Sequence, residues 1–209
     1  MRILRVLPSL GTGGIELWVR DFAVEAVKLG HHVAVAAGQG TLTGEMRARG
    51  VVWHDLPMDS KTPAVFFRSC ADLARIIERE KPDILHVESR FPCWVARRVL
   101  GRFPGLPWVT SVHSYCPANA WSRPLVAGDR VVAVSRALSE FAISSLGADP
   151  AKMRLVYNGI DPGRFAPVAD RTPATPVAGM AGRFTPGKGH AIFLGALAIL
   201  TREKIRIRG

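Results

Sequence analysis

Short apolar runs alternate along this chain with longer stretches whose apolar residues recur every three or four positions. Residues 3–7, 33–37, 51–56, 84–87, 108–112 and 131–134 are strand-like runs, the first interrupted only by Arg5, and 155–157 closes the series. Between them, Ile15, Trp18, Val19, Phe22, Ala23, Ala26 and Val27 share one helical face, as do Phe66, Cys70, Leu73, Ala74 and Ile77. Strands apolar on both sides, joined by amphipathic helices, can hide both faces only in a parallel sheet with helices above and below. The predicted class is therefore α/β, a doubly wound parallel sheet. Gly30 is placed to cap the first helix. Ser135 is placed to start a helix running through Phe141 to Gly147.

This pattern fills residues 1–166, read as one Rossmann-like domain. Residues 167–176 carry three prolines and no large apolar side chain, which suits a linker. Residues 177–209 then restart the strand–turn–helix pattern and read as the opening of a second Rossmann-like domain. A domain of about 160 residues can bury roughly 70% of its unfolded surface. No apolar run approaches the length of a spanning helix. The first residues read as a strand rather than a signal peptide. Three cysteines without a CxxC pair argue for reduced thiols, a cytoplasmic setting and no structural metal site.

The formal charge of +11 is mostly arginine. It points to anionic partners or to an arginine-rich composition. Phe91, Trp94, Arg97, Arg98, Arg102 and Phe103 mix bulky apolar and cationic groups around one predicted helix. That mixture suits the headgroup layer of an anionic membrane, and equally a buried face beside a solvated one. No zinc-finger, helix-turn-helix or RRM-like signature accompanies the charge, so a nucleic-acid partner is not expected.

The chemistry-bearing residues fall at the expected carboxyl edge of the sheet. Gly11, Gly13 and Gly14 follow the first strand, where a backbone can approach a ligand closely and present helix N-terminal amides to an anion. A dinucleotide fingerprint is not completed, because Glu16 occupies the third glycine position. His113 lies just past the strand 108–112, placed for a sugar hydroxyl, a phosphate or a structural role. His86, inside an apolar strand, reads as a satisfied core histidine. His31, His32 and His54 flank strands without metal-ligand spacing. Arg183 and Lys188 stand in a Gly/Pro-rich turn between a strand-like run over 177–181 and a helix-like run over 191–200, a design suited to a diphosphate.

Taken in order, Gly13-Gly14-Ile15-Glu16, Pro82-Asp83-Ile84-Leu85-His86, Val112-His113, the segment 129–135, the segment 156–161 with Phe165, and Gly182-Arg183 with Lys188-Gly189 resemble the retaining, nucleotide-sugar-dependent glycosyltransferases of the GT-B fold, family 4. The resemblance covers the acceptor-side domain and the opening of the donor-side domain. It implies transfer of a sugar to a lipid, polysaccharide or small acceptor, as in the building of cell-envelope polysaccharides, without a metal or other cofactor. Gly13 and Gly14 would lie beside the donor sugar and diphosphate, Glu16 would order their loop, His113 would face the transferred sugar, and Arg183 and Lys188 would neutralise the departing diphosphate. The paired glutamates of the family's donor domain do not occur before residue 209. That leaves three further expectations: self-association or pairing with a separate donor half, a non-catalytic acceptor-binding module, or a peripheral module at the inner membrane face.

Overall fold

A computed structural model describes residues 1–58, 60–163, 165–166, 175–182 and 184–207. The chain divides into two compact units, Met1–Gly159 and Ile160–Gly209.

The first unit is built on seven parallel strands: β1 (Arg2–Ser9), β2 (His32–Gly38), β3 (Val52–Asp55), β4 (Ile84–Glu88), β5 (Trp108–Val112), β6 (Arg130–Ala133) and β7 (Met153–Leu155). Their spatial order is β3-β2-β1-β4-β5-β6-β7. The chain winds outward from β1 through β2 to β3, then crosses to β4 and winds the other way. The reversal lies between β1 and β4, and ligands of open parallel sheets bind beyond the carboxyl ends of the strands at such a point.

Helices α1 (Gly14–Lys28) and α2 (Thr43–Ala48) cover one face beside β1 and β2; α3 (Pro63–Glu80) and α4 (Arg90–Leu100) cover the other; α5 (Arg136–Ser144) packs beside β6 and β7. Strand alternation sorts the core. Leu4, Val6, Leu85 and Val87 face α3 and α4, whereas Ile3, Leu7 and Ile84 face α1. Arg5, His86 and Glu88 are in phase with the latter set.

Local signals set the helix ends. Gly30 takes φ +82 and lets the His31 amide return to the Ala26 carbonyl, which stops α1. Ser135 starts α5, its side chain accepting from the Leu138 amide at 3.2 Å. Thr62 does the same for α3, with Pro63 in the first turn. At the amino-terminal edge, Glu80 ties α3 to three strands. Its carboxylate meets Nε2 of His32 at 2.7 Å, Nε2 of His54 at 2.8 Å and the Arg2 guanidinium at 3.3 Å. Burial opposes the Glu80 charge, and the bonds from both histidines outweigh it, holding its carboxyl below the ordinary range.

Three expectations change. The mixed apolar and cationic surface around α4 does not exist as a unit. Phe91 is buried, Phe103 packs against the same core, and the Trp94 indole donates to the Trp121 carbonyl, leaving Arg97, Arg98 and Arg102 outside. An amphipathic helix has simply turned its apolar face inward. The last strand forms over Met153–Leu155, two residues early, and leaves Tyr157 60% exposed. The strand expected over 177–181 is not formed among the described residues beyond a bridge at Val177. Val177 and Met180 are exposed there, and a parallel strand needs neighbours for its backbone groups.

The second unit carries a 3₁₀ turn (Pro186–Lys188) and helix α6 (His190–Arg202), none of whose residues is buried. Of the expected linker, residues 167–174 lie outside the described residues.

The turn after β1 is shaped by a neighbouring loop. The Leu10 amide donates to the Gly38 carbonyl and the Leu42 amide to the Leu10 carbonyl, and Gly40 lies so close that a Cβ there would fall on the Leu10 carbonyl. A Cβ at Gly44, inside α2, would meet nothing. Gly40→Ala should therefore cost about 1–3 kcal/mol in urea unfolding through overpacking. Gly44→Ala, in the first turn of α2, should add about 0.4–1 kcal/mol by restricting the unfolded chain.

Candidate functional site

The carboxyl edge around β1 and β4 carries the loop 10–13, the first turns of α1, the end of β4 and, from the next strand, the segment after β5. Gly13 caps α1 with extended backbone and no side-chain bond. Glu16, in the first turn, folds its carboxylate over Gly13, where a Cβ would collide with it. Glu16 thus lies against the loop it was expected to order. Gly14 is open to solvent.

His113 follows β5, with its side chain only 6% exposed. Its Nε2 lies 2.7 Å from Oε2 of Glu88, the last residue of β4. Glu88 is fully buried, and its other oxygen, Oε1, accepts from Arg5 Nη2. Strand register brings these groups together: Arg5 stands opposite His86, and Glu88 opposite Ser111. His86 Nε2 meets the Ser111 hydroxyl at 2.7 Å and Glu88 Oε1 at 3.2 Å.

Trp18, one turn into α1, roofs the cluster. The Arg5 guanidinium lies 4.2 Å from a Trp18 ring centroid and 4.5 Å from that of Phe22. The Trp18 ring meets His113 edge-on at 5.1 Å and His86 at 5.8 Å. Glycine turn and His113 are therefore linked through α1.

Burial opposes the Glu88 charge, but facing His86, Arg5 and His113 more than compensate, and its carboxyl is held well below the ordinary range. Burial, helped by Arg5, pushes His86 down to about 3, so its ring is neutral at physiological pH. Cys93, buried in α4, has its thiol pushed well up by burial and by Glu88, which removes it as a nucleophile. All three cysteines are free thiols.

Next to Glu88, Ser89 caps α4 with φ 74 and ψ 157, a region nearly reserved for glycine that costs roughly 1–3 kcal/mol. The strain sits at this same edge.

Lys188 ends the 3₁₀ turn of the second unit, exposed and near Gly182, with Phe184 stacked on His190 at 4.5 Å. Arg183 lies outside the described residues. Among the described residues no group of three or more His, Cys, Asp or Glu side chains is arranged to hold a metal ion. No helix there is long and apolar enough to cross a membrane. Sequence reasoning missed Arg5, Trp18 and Glu88 as site residues. The available signal was a charge within, or at the end of, each of two apolar strands.

Breaking one side of the buried pair should be strongly destabilising. Arg5→Met should cost about 3–5 kcal/mol in urea unfolding because it leaves Glu88 unpaired, whereas Arg5→Met with Glu88→Gln should cost far less. His86 supplies a pH test. Its folded value of about 3 lies below the unfolded 6.5, so between them the unfolded chain binds the extra proton and stability falls as pH falls. Above the ordinary carboxyl range this should cost at most about 1.4 kcal/mol per pH unit. His86→Gln should flatten that acid limb in a urea series taken at successive pH values.

Comparison with known proteins places this chain. The family model described as Glycosyltransferase Family 4 matches residues 12–164. One component of the phosphatidylinositol N-acetylglucosaminyltransferase of Arabidopsis thaliana is 26% identical over 182 residues, covering 79% of this chain and 40% of the relative. A glycosyltransferase crystal structure from Rickettsia africae superposes with a TM-score of 0.78 at 24% identity, covering 96% of this chain and 57% of that one. The HepE structure from Anabaena, in complex with UDP and glucose, gives a TM-score of 0.70 at 17% identity, with 95% and 58% covered. The chain thus spans little more than half the length of these structures. From the family match, the chain belongs to glycosyltransferase family 4.

Proposed function

We propose that this chain contributes the acceptor-side domain and part of the donor-side domain of a retaining glycosyltransferase, which moves a sugar from a nucleotide-sugar to an acceptor without a metal. The observation that carries the reading is the set of groups gathered at the carboxyl edge of the sheet where strand order reverses. A glycine turn there opens the N-terminus of α1, Trp18 of the same helix meets the His113 ring, and the buried Glu88 carboxylate holds His113 from β4. Cleaving a sugar–phosphate bond builds negative charge on the leaving diphosphate, and fixed donors and cations stabilise that charge. In this reading Gly13 and Gly14 flank the donor sugar and diphosphate, with Glu16 bracing their loop. His113 contacts the transferred sugar, and Arg183 and Lys188 take the diphosphate. The acceptor is a lipid, a polysaccharide or a small molecule.

Two further observations bear on partners. Helix α6 is apolar from Ala191 to Leu200, with Ile192 79% and Leu194 61% exposed, which favours pairing with another polypeptide surface. Arg97 and Arg98 stand exposed on α4, separate from its buried apolar face, and this residual positive charge is what favours peripheral contact with an anionic membrane.

Calorimetry with UDP and UDP-glucose, beside a transfer assay with labelled donor and a co-expressed donor half, tests the proposal. Lys188→Ala should weaken UDP by about 1.5–3 kcal/mol, the worth of a charged hydrogen bond, and transfer should survive EDTA. No transfer, no hydrolysis and no nucleotide affinity would refute it.

A further inference from the structure

The buried carboxylate between Arg5 and His113 has a consequence for the chemistry of the carboxyl edge. An arginine side chain has only donors, and an ionised carboxylate only acceptors. Glu88 commits Oε1 to Arg5 and presents Oε2 to His113 at 2.7 Å. In a neutral ring the proton must then sit on Nε2. The other nitrogen, Nδ1, has no partner among the described residues, nor is it among their sealed, unpartnered polar atoms. Trp18, edge-on to the ring and itself under Arg5, holds the ring plane.

We infer that Glu88, anchored by Arg5, is a positioning residue that fixes His113 as the Nε2–H tautomer, so that the outward Nδ1 accepts a hydrogen bond from a ligand hydroxyl. The inference deepens the glycosyltransferase reading and rests on it for the ligand: a sugar hydroxyl can donate to Nδ1, and an ionised phosphate oxygen cannot. Glu88 needs no contact with substrate to do this. It acts by deciding which face of the imidazole carries the lone pair.

Glu88→Gln makes the idea sharp. Arg5 can accept nothing, so the carbonyl of the new side-chain amide must turn toward Arg5 and its NH₂ toward His113. His113 Nε2 must then accept, and its proton moves to Nδ1. The variant thus reverses the polarity of the outward nitrogen while changing one side-chain atom. Glu88→Asp keeps an acceptor-only group and should keep the original tautomer.

Long-range ¹H–¹⁵N correlation spectra of the ¹⁵N-labelled chain, recorded well above the ordinary histidine range, read the tautomer directly, with His113→Asn identifying the resonance. The expected result is Nε2–H in the unaltered chain and in Glu88→Asp, and Nδ1–H in Glu88→Gln. Nδ1–H in the unaltered chain overturns the inference even if the variants fail to fold, as does an unchanged tautomer in folded Glu88→Gln. Calorimetry adds a readout that general loosening would not produce. Glu88→Gln should weaken UDP-glucose about three- to tenfold, the worth of one hydrogen bond, and leave UDP unchanged. Equal loss for both ligands would overturn the positioning role. Absence of any nucleotide affinity in the unaltered chain would sink the glycosyltransferase reading instead and leave the tautomer result to stand by itself.

Discussion

Arg5 and Glu88 share one ionic contact in a layer whose neighbouring strand residues on β1 and β4 are apolar or a histidine. Both side chains are wholly removed from water. A lone charge in that position would be costly, and the pair is tolerable only because the parallel register of β1 and β4 sets the two groups together. Among the described residues, two Arg5 nitrogens, Nε and Nη1, have no hydrogen-bond partner. The Trp18 and Phe22 rings offset part of that deficit. The arrangement adds little net stability over an apolar core, and its guanidinium lies against Trp18 and Phe22 of α1.

The topology converts that local pairing into a site. Where strand order reverses, the connections leave β1 and β4 in opposite directions, so the two strands frame an opening. The glycine turn follows β1 and the strained Ser89 follows β4. The two histidines at this edge are held in different ways. His86 is neutral because burial and Arg5 disfavour a second cation. His113 is tied to the carboxylate through Nε2.

Much of the fold was legible in the residues. The apolar runs located the strands because both sheet faces are covered, and the helical faces of α1 and α3 followed from their spacing. Gly30 and Ser135 marked ends through backbone chemistry that needs no tertiary context. His86 was rightly read as a satisfied core histidine, bonded to Ser111. Helix α2 was missed because six residues are too few for a period to show. The membrane-like mixture around α4 was ambiguous because an amphipathic helix and an interfacial one share a pattern until a neighbour covers one face. The site itself was half legible. His113 and the glycine turn stood out by position, whereas Glu88 lies 83 residues from Arg5 and became a partner only through strand order. A charge in an apolar strand announces that a counter-charge exists, not where it is.

Gly40 touches neither His113 nor the charged pair, yet its missing side chain leaves room for the Leu10 carbonyl at the entrance to the glycine turn. The carboxyl edge is therefore moulded from behind. Substitutions in the connection after β2 would disturb ligand affinity while leaving every contacting side chain in place, and a mutational survey would score as part of the site a residue that never meets what binds there.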